Sequence, residues 1–364
     1  MGALRVLYIN GGLMHRGGIE SYMMNYYRNI DKSKVQFDFV VHGYDKGEYD
    51  DEIESMGGKI FNVPIKSKEP FKYKLELKKI FLNNNYKIVH AHLDAMSAWV
   101  LKIAKECGVP VRIAHSHNTQ HLTTNKIKFV LNEFARKNIN KYANYRCACS
   151  PDAARWLFGT EDVIYIKNAI DLDKFKFDSA ARNEVRSELG IKDELVIGHI
   201  GRFDYQKNHE FLINVLKKVT RIIPDVKLLL IGDGSLRKNI EQQISDLGLM
   251  NNVILLGVRN DVNIIINAFD VFVLPSRFEG LGIVLIEAQA NGLNCIASDV
   301  IPKEANAGSK VIYLPLDEDK WCNKLIDMNF ERYDNTNLIR KRGYDIRTEA
   351  IKLCELYQKL SRGV

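Results

Sequence analysis

Two acids eight residues apart, Glu279 and Glu287, frame a glycine-rich turn, Gly280-Leu281-Gly282. The run just before them, Val271–Leu274, is short, apolar, rich in β-branched and aromatic side chains and stopped by Pro275, which predicts a buried strand. The residues after the turn predict a helix, with apolar positions at Ile283, Ile286 and Ala290 and a stop at Asn291-Gly292. A second apolar strand is expected at 295–297. Strand, loop, helix and strand in that order make a parallel crossover, whose ligands bind beyond the carboxyl end of the first strand. Gly280 and Gly282 leave the helix start bare, so the amides of the turn, Leu281 included, can approach a phosphate. Glu279 can meet a group over the helix N-terminus, and Glu287, about two turns along, a polar group beside it. A phosphate with a hydroxylated group on either side would use both acids, and a nucleotide sugar has that shape. A capped helix carrying one solvated Glu is the plainer alternative.

Embedded as FEGLGIVLIEAQANG, the two acids resemble the E-x7-E signature of family 4 glycosyltransferases, retaining enzymes of GT-B fold. Other stretches carry the same resemblance. Gly201-Arg202-Phe203-Asp204-Tyr205-Gln206-Lys207, after a strand expected at 195–200, is similar to the family's G-R-x4-K diphosphate clamp. Arg202 suits bidentate contact with oxygens and Lys207 acts as a point charge. Gly232-Asp233-Gly234 follows a strand expected at 227–231 and resembles the family's GxG turn, while Val258 and Arg259, after a strand at 253–256, fall where the family reads the nucleobase through backbone groups. Near the start, Gly17-Gly18-Ile19-Glu20 resembles the GGxE-type loop that faces the donor diphosphate and the acceptor; bare backbone at Gly17 and Gly18 permits close approach. A Rossmann dinucleotide loop fits worse there: the glycine spacing is not G-x-G-x-x-G, and the second strand ends in His42-Gly43 rather than an acid. His117, at the end of a strand expected at 111–115, resembles the first-domain histidine beside the reacting carbon, and His115 is its rival by two residues. A zinc site from His90, His92, His115 and His117 is not expected, because no Cys or carboxylate accompanies them at ligand spacing. Asp171-Leu172-Asp173 has the form of a DxD metal motif. It lies, however, inside Asn168-Ala169-Ile170-Asp171…Phe175, which resembles the family's N-G-[VI]-D-x-x-x-F linker with Ala169 in place of Gly.

The resemblance implies an α/β protein of GT-B type, two Rossmann-like doubly wound domains facing each other across a cleft that holds the active site. Residues 1–168 would form the acceptor domain, joined by a C-terminal helix at 344–364 that crosses back, and residues 169–343 the donor domain. It further implies a nucleoside diphosphate sugar as donor (a UDP-sugar), transfer of a hexose or N-acetylhexosamine with retention, and neither metal nor cofactor. Arg202 and Lys207 would hold the diphosphate, Glu287 the ribose hydroxyls, and Glu279 with the Gly280–Gly282 amides the sugar and β-phosphate. No residue stands out as a general base, which suits a same-face reaction in which the leaving phosphate oxygen takes the acceptor proton. The wording around Glu279 also resembles bacterial capsule and exopolysaccharide transferases, which extend lipid-linked saccharides at the cytoplasmic membrane. The rival readings are an epimerase or phosphorylase of the same fold and a non-catalytic two-lobed nucleotide or carbohydrate binder; an NAD enzyme is the weakest.

The elements that must position these residues fit the composition. At 364 residues the chain exceeds one ordinary core, and its 46% hydrophobic and 27% charged residues are those of a globular protein. Six cysteines without framework spacing read as reduced core residues of a cytosolic protein. No signal peptide and no apolar run of transmembrane length are visible. The net charge of +7 is uneven: residues 1–170 hold 25 Lys and Arg against 17 Asp and Glu, and the remainder carries −1. Such a surplus fits nucleic acid, an anionic membrane or an anionic substrate, and the motifs favour the last two. The segment from Lys66 to Lys87 holds seven lysines against two acids, interleaved with Phe71, Leu75, Leu77, Ile80, Phe81 and Leu82. It is expected to be either a solvated helix whose apolar side packs on a sheet or an interfacial helix on anionic lipid.

Overall fold

In a computed structural model the described residues are 2–121, 123 and 125–363. The chain forms two compact units, residues 1–169 with 346–364, and residues 170–345.

In the first unit, strands β1 (Leu4–Ile9), β2 (Val35–His42), β3 (Ile60–Val63), β4 (Ile88–Ala91), β5 (Val111–Ser116), β6 (Tyr145–Ala148) and β7 (Ile164–Tyr165) form a parallel sheet in the order β3-β2-β1-β4-β5-β6-β7. Val6 pairs with both Phe37 and Ile88, and Ile113 with Tyr145. β2 is buried along nearly its whole length because helices cover both faces of the sheet, although Gln36 and Asp38 alternate with its apolar residues. These helices are α1 (Gly18–Asn29), α2 (Asp50–Ser55), α3 (Pro70–Asn84), α4 (Ser97–Glu106), α5 (Lys126–Tyr142) and α6 (Pro151–Phe158). Tyr73, Leu77 and Phe81 of α3, Leu101 of α4 and Ile139 of α5 share one core against the sheet. Tyr22, Met23 and Tyr26 of α1 lie in the core on its other face.

The second unit repeats the plan. Strands β8 (Val196–Ile200), β9 (Lys227–Ile231), β10 (Val253–Gly257), β11 (Val271–Leu274), β12 (Asn294–Ser298) and β13 (Val311–Leu314) run parallel in the order β10-β9-β8-β11-β12-β13. Helices α7 (Ser179–Glu188), α8 (His209–Val219), α9 (Arg237–Asp246), α10 (Val262–Ile265), α11 (Ile283–Ala290), α12 (Glu318–Asp327) and α13 (Thr336–Lys341) accompany them. The strands β7 and β13 were not expected from the sequence; each is an edge strand, and neither has the fully buried run that marks the central ones. The last helix, α14 (Ile346–Arg362), returns to the first unit. Its buried positions Ile346, Ala350, Leu353, Tyr357 and Leu360 recur at helical spacing and join the core of α1 and β2. The unit boundary falls between Ala169 and Ile170, within the linker-like stretch. Asp173 pairs with Arg340 at 3.6 Å and Asp171 accepts from the Lys174 amide, so both acids are engaged in fastening that stretch. Among the described residues no helix is long and apolar enough to cross a membrane.

Candidate active site

In the second sheet the strand order reverses between β8 and β11, and ligands of such sheets bind where the loops leaving those strands part. The loop after β8 carries Arg202 and Lys207, and the loop after β11 carries Glu279 and the glycine turn. Although 72 residues separate them, the Lys207 ammonium lies 2.6 Å from Glu279 Oε1, with the two side chains only 15% and 7% exposed. The same carboxylate oxygen accepts from Ser276 Oγ at 2.7 Å. Gln206 donates to the Phe278 carbonyl at 3.0 Å, and its own carbonyl accepts from the Arg277 amide. Asn208, in the left-handed conformation that starts α8, donates to the Pro275 carbonyl and accepts from Arg277. Lysine and glutamate are thus fixed by their neighbours before any ligand arrives. Arg202 differs. Its guanidinium is exposed and makes no hydrogen bond or ion pair with another described residue.

The turn leads into α11 through Gly282, which is left-handed (φ 82°, ψ 68°), and no side chain caps the helix. Gly282 therefore places no side-chain oxygen on the amides at the start of α11, which lies behind a buried turn. Glu287, one side of α11, is partly accessible, yet burial raises its carboxyl to about 7, with nearby Lys174 pulling the other way. Val258 is exposed after β10, and the Arg259 side chain is held by Asp261 through two contacts of 2.9 and 2.7 Å, leaving backbone as the group on offer there.

Gly232 has a packing duty of its own. Its φ is +135°, and a Cβ there would collide with the Gly201 carbonyl oxygen; one on Gly234 would collide with that of Phe203. These two glycines let the β9 loop lie directly on the Arg202 loop, where the Phe203 amide bonds the Asp233 carbonyl at 3.0 Å. Gly232→Ala is expected to destabilise the second unit by about 2–4 kcal/mol, read as a lower midpoint in thermal or denaturant unfolding.

In the first unit α1 also begins without a side-chain cap, at Gly17. A Cβ on Gly17 would run into the Glu20 carboxylate, which Asn10 holds at 3.0 Å, whereas one on Gly18 would meet nothing within 4 Å. His117 lies just beyond β5 and is 7% exposed; His115, inside the strand, is fully buried. Both belong to an array with His90 and His92: His92 Nδ1 to His117 Nε2 is 2.8 Å, His90 Nε2 to His115 Nδ1 is 3.2 Å, and His90 Nδ1 meets the Tyr357 hydroxyl at 2.6 Å. Burial holds the four rings neutral, His117 down at about 3. The fold brings ring nitrogens of His90, His92 and His115 within 4.8 Å of one another, a proximity that the sequence spacing did not suggest. Their hydrogen bonds run to one another, to His117 and to Tyr357, and their rings pack against Tyr8 and Tyr22.

Several groups around these residues carried no signal in the sequence. Asp94, at φ +47°, accepts from the His117 amide at 2.7 Å and the Asn118 side chain at 2.7 Å, fixing the chain where it leaves β5. Burial pushes its carboxyl up while those hydrogen bonds pull it down. Gln206 and Asn208 likewise sit inside recognisable loops, but their partners Phe278 and Pro275 lie some seventy residues away, while Ser276 meets Glu279 within its own loop.

Comparison with known proteins accounts for both units. Residues 16–174 match the family model Glycosyltransferase Family 4, and residues 181–307 match Glycosyl transferases group 1. EpsF of Bacillus subtilis (strain 168) is 41% identical over 313 residues, 84% of this chain and 81% of that protein. The UDP-Gal:alpha-D-GlcNAc-diphosphoundecaprenol alpha-1,3-galactosyltransferase of Escherichia coli is 30% identical over 242 residues, 62% of this chain and 61% of that one. Among solved structures, Anabaena Alr3699/HepE in complex with UDP and glucose superimposes with a TM-score of 0.82 at 19% identity, covering 98% of this chain and 99% of that one. With GT-B neighbours for its fold, two family models matched one after the other and a relative 41% identical over 84% of it, the chain belongs to glycosyltransferase family 4.

Proposed function

We propose that the chain moves a hexose or N-acetylhexosamine from a UDP-sugar to a saccharide carried on a lipid, with retention at the anomeric carbon, in the building of a bacterial surface polysaccharide. The observation that carries this reading is the Lys207–Glu279 pair, set between the loops of β8 and β11 beside the uncapped start of α11. A diphosphate at that place meets the Lys207 ammonium, the Arg202 guanidinium and the amides of Gly280, Leu281 and Gly282, an environment already oriented for negative charge. Glu279 then borders the sugar, Glu287 takes the ribose hydroxyls, and backbone at Val258 and Arg259 meets the base, with Gly232 keeping the floor of the site thin. For Gly17, Gly18 and His117, roles toward the diphosphate and the transferring sugar rest on the family resemblance alone. UDP and glucose in the HepE structure and the UDP-galactose of the E. coli enzyme support the donor, and the diphosphoundecaprenol in that enzyme's name supports a lipid-linked acceptor.

Charge developing on the leaving diphosphate is stabilised by Arg202 and Lys207, so the reading uses no metal. Asp171 and Asp173, being engaged with Lys174 and Arg340, support leaving them out. Glu279 is tied to Lys207 and Ser276, a poor disposition for a base, which suits proton transfer to the departing phosphate oxygen and hence same-face attack. The enzyme would work at the cytoplasmic face of the membrane. For the Lys66 to Lys87 segment, Tyr73, Leu77, Ile80 and Phe81 of α3 pack into the core, while Phe71, Leu75 and Leu82 stay exposed among the lysines and leave an interfacial role open to them.

A thermal-shift panel of UDP, GDP, ADP and several UDP-sugars, with and without EDTA, tests the reading. Stabilisation by UDP and a UDP-sugar, unchanged by EDTA, is expected. A response that needs a divalent ion would bring Asp171 and Asp173 into the site, and silence towards every nucleotide would overturn the proposal. Arg202→Ala should weaken donor turnover by roughly 10–100-fold while leaving the melting temperature unmoved, because the side chain is exposed and makes no hydrogen bond or ion pair with another described residue.

A further inference from the structure

We propose that the first unit seats on an anionic bilayer surface through the exposed stripe of α5. Ile127, Val130, Leu131 and Phe134 recur at i, i+3, i+4 and i+7, so they share one face of the helix, and they are 74%, 65%, 51% and 58% exposed. Of the 17 residues of α5, only Ala135 and Ile139 are buried, so its first two turns stand clear of the core that holds its second half. Four large apolar side chains in one row on a surface are not needed to close any core described above, and such rows mark interaction sites.

What should cover them follows from the charges. Lys126 and Lys137 flank the stripe and Lys141 continues it, while the helix's single acid, Glu133, is taken up by Arg136 at 2.6 Å and His121 at 3.1 Å. The patch extends beyond α5: the Phe134 ring lies 6.2 Å from that of Trp99 on α4, and the Lys66 ammonium sits 4.0 Å above Trp99. The helices α3, α4 and α5 cover the same face of the sheet, so Phe71 (90% exposed), Leu75 and Leu82 belong to the same helix layer. The excess of eight positive charges over residues 1–170 has the sign that anionic headgroups attract, and it would repel a second copy of the same face. Apolar side chains rimmed by lysines suit a helix lying in the interface, and no described helix can span a bilayer. The inference does not depend on which sugar or acceptor the enzyme uses. It places the seat on α5 rather than on the lysines of residues 66–87 alone.

The test is flotation of the full chain with phosphatidylcholine vesicles, with and without phosphatidylglycerol, comparing wild type, Ile127→Ser/Val130→Ser/Leu131→Ser and Lys72→Ser/Lys79→Ser. Wild type should float with the anionic vesicles. The α5 variant should partition at least about tenfold more weakly, with unchanged melting temperature and unchanged stabilisation by nucleotide, while the α3 variant keeps most of its binding. No flotation of wild type, equal binding to uncharged vesicles, or loss in the α3 variant but not the α5 variant would each overturn the proposal. So would a wild-type dimer in light scattering that the α5 substitutions dissolve, since the stripe would then be a contact between copies. Because the nucleotide panel is read on the same variants, failure here and failure of the transferase reading are separate results.

Discussion

Lys207→Ala should lower turnover of the sugar nucleotide by on the order of 10²–10³, the range found when a fixed donor to developing negative charge is removed, and should also weaken the fold. Both effects come from one contact. The ammonium, 2.6 Å from Glu279 Oε1 and largely enclosed, is held in place by the carboxylate, so no reorganisation is required when the diphosphate begins to leave. Without it Glu279 keeps Ser276 Oγ and the more distant Gln206 amide, but its buried charge loses the ammonium that Lys207 supplies. Breaking one side of a buried pair costs up to about 3–5 kcal/mol, and the partial exposure of Lys207 places the value at the lower end. The double change Lys207→Met/Glu279→Gln separates the roles, since it removes both charges together. It should recover most of the stability and none of the turnover. A Lys207→Ala enzyme within a few-fold of wild-type kcat/KM would remove the pair from the site, and a variant with normal stability would show that Glu279 finds another cation.

The parts of this site that were legible in the sequence are those whose signal is local. Val271–Leu274 is a buried strand because nothing polar interrupts it before Pro275, and α11 begins at a glycine and ends at Asn291-Gly292 as the pattern predicts. Alternation of apolar runs with helical periods foretold the parallel sheets, since crossovers oblige helices to cover both faces. What escaped was set by tertiary contact. β13 is half-buried along its length and has no run of buried residues to announce it. Gln206 and Asn208 are ordinary loop residues until the fold brings the two loops together, and Asp94 gains its place by a left-handed backbone that no neighbour in the sequence specifies. The four histidines could be listed from the sequence, but not their stacking or hydrogen bonds, because these depend on the register of β4 against β5, which pairs His90 with Ile113. Segment 66–87 reads as amphipathic from its sequence, whereas the apolar stripe of α5 is marked out only by its exposure.

Glu287→Gln should make the protein more stable at pH 8 and a poorer enzyme at once. Burial holds this carboxyl at about 7 against an ordinary value of 4.5, with Lys174 only partly offsetting it. A group that binds its proton more tightly folded than unfolded opposes folding as pH rises above 4.5, increasingly until about pH 7, and by a constant amount beyond. That difference in pKa corresponds to about 3 kcal/mol at pH 8, so Gln, which has the same shape and no charge to desolvate, should raise the unfolding midpoint by several degrees there and by almost nothing below about pH 4. A desolvated carboxylate is a strong acceptor for hydroxyls, so on the proposed reading the ribose would replace the water this group lacks. Donor affinity should therefore fall by up to about tenfold as pH drops from 8 to 6 and the carboxyl takes a proton. A UDP-sugar is the ligand to use, because its diphosphate keeps its charge over that range. In Glu287→Gln the affinity should be weaker by roughly 10–100-fold and flat with pH. If the variant were less stable than wild type at pH 8, or if donor affinity kept its slope without the carboxyl, Glu287 would be an ordinary helix residue and the ribose would have to be held elsewhere.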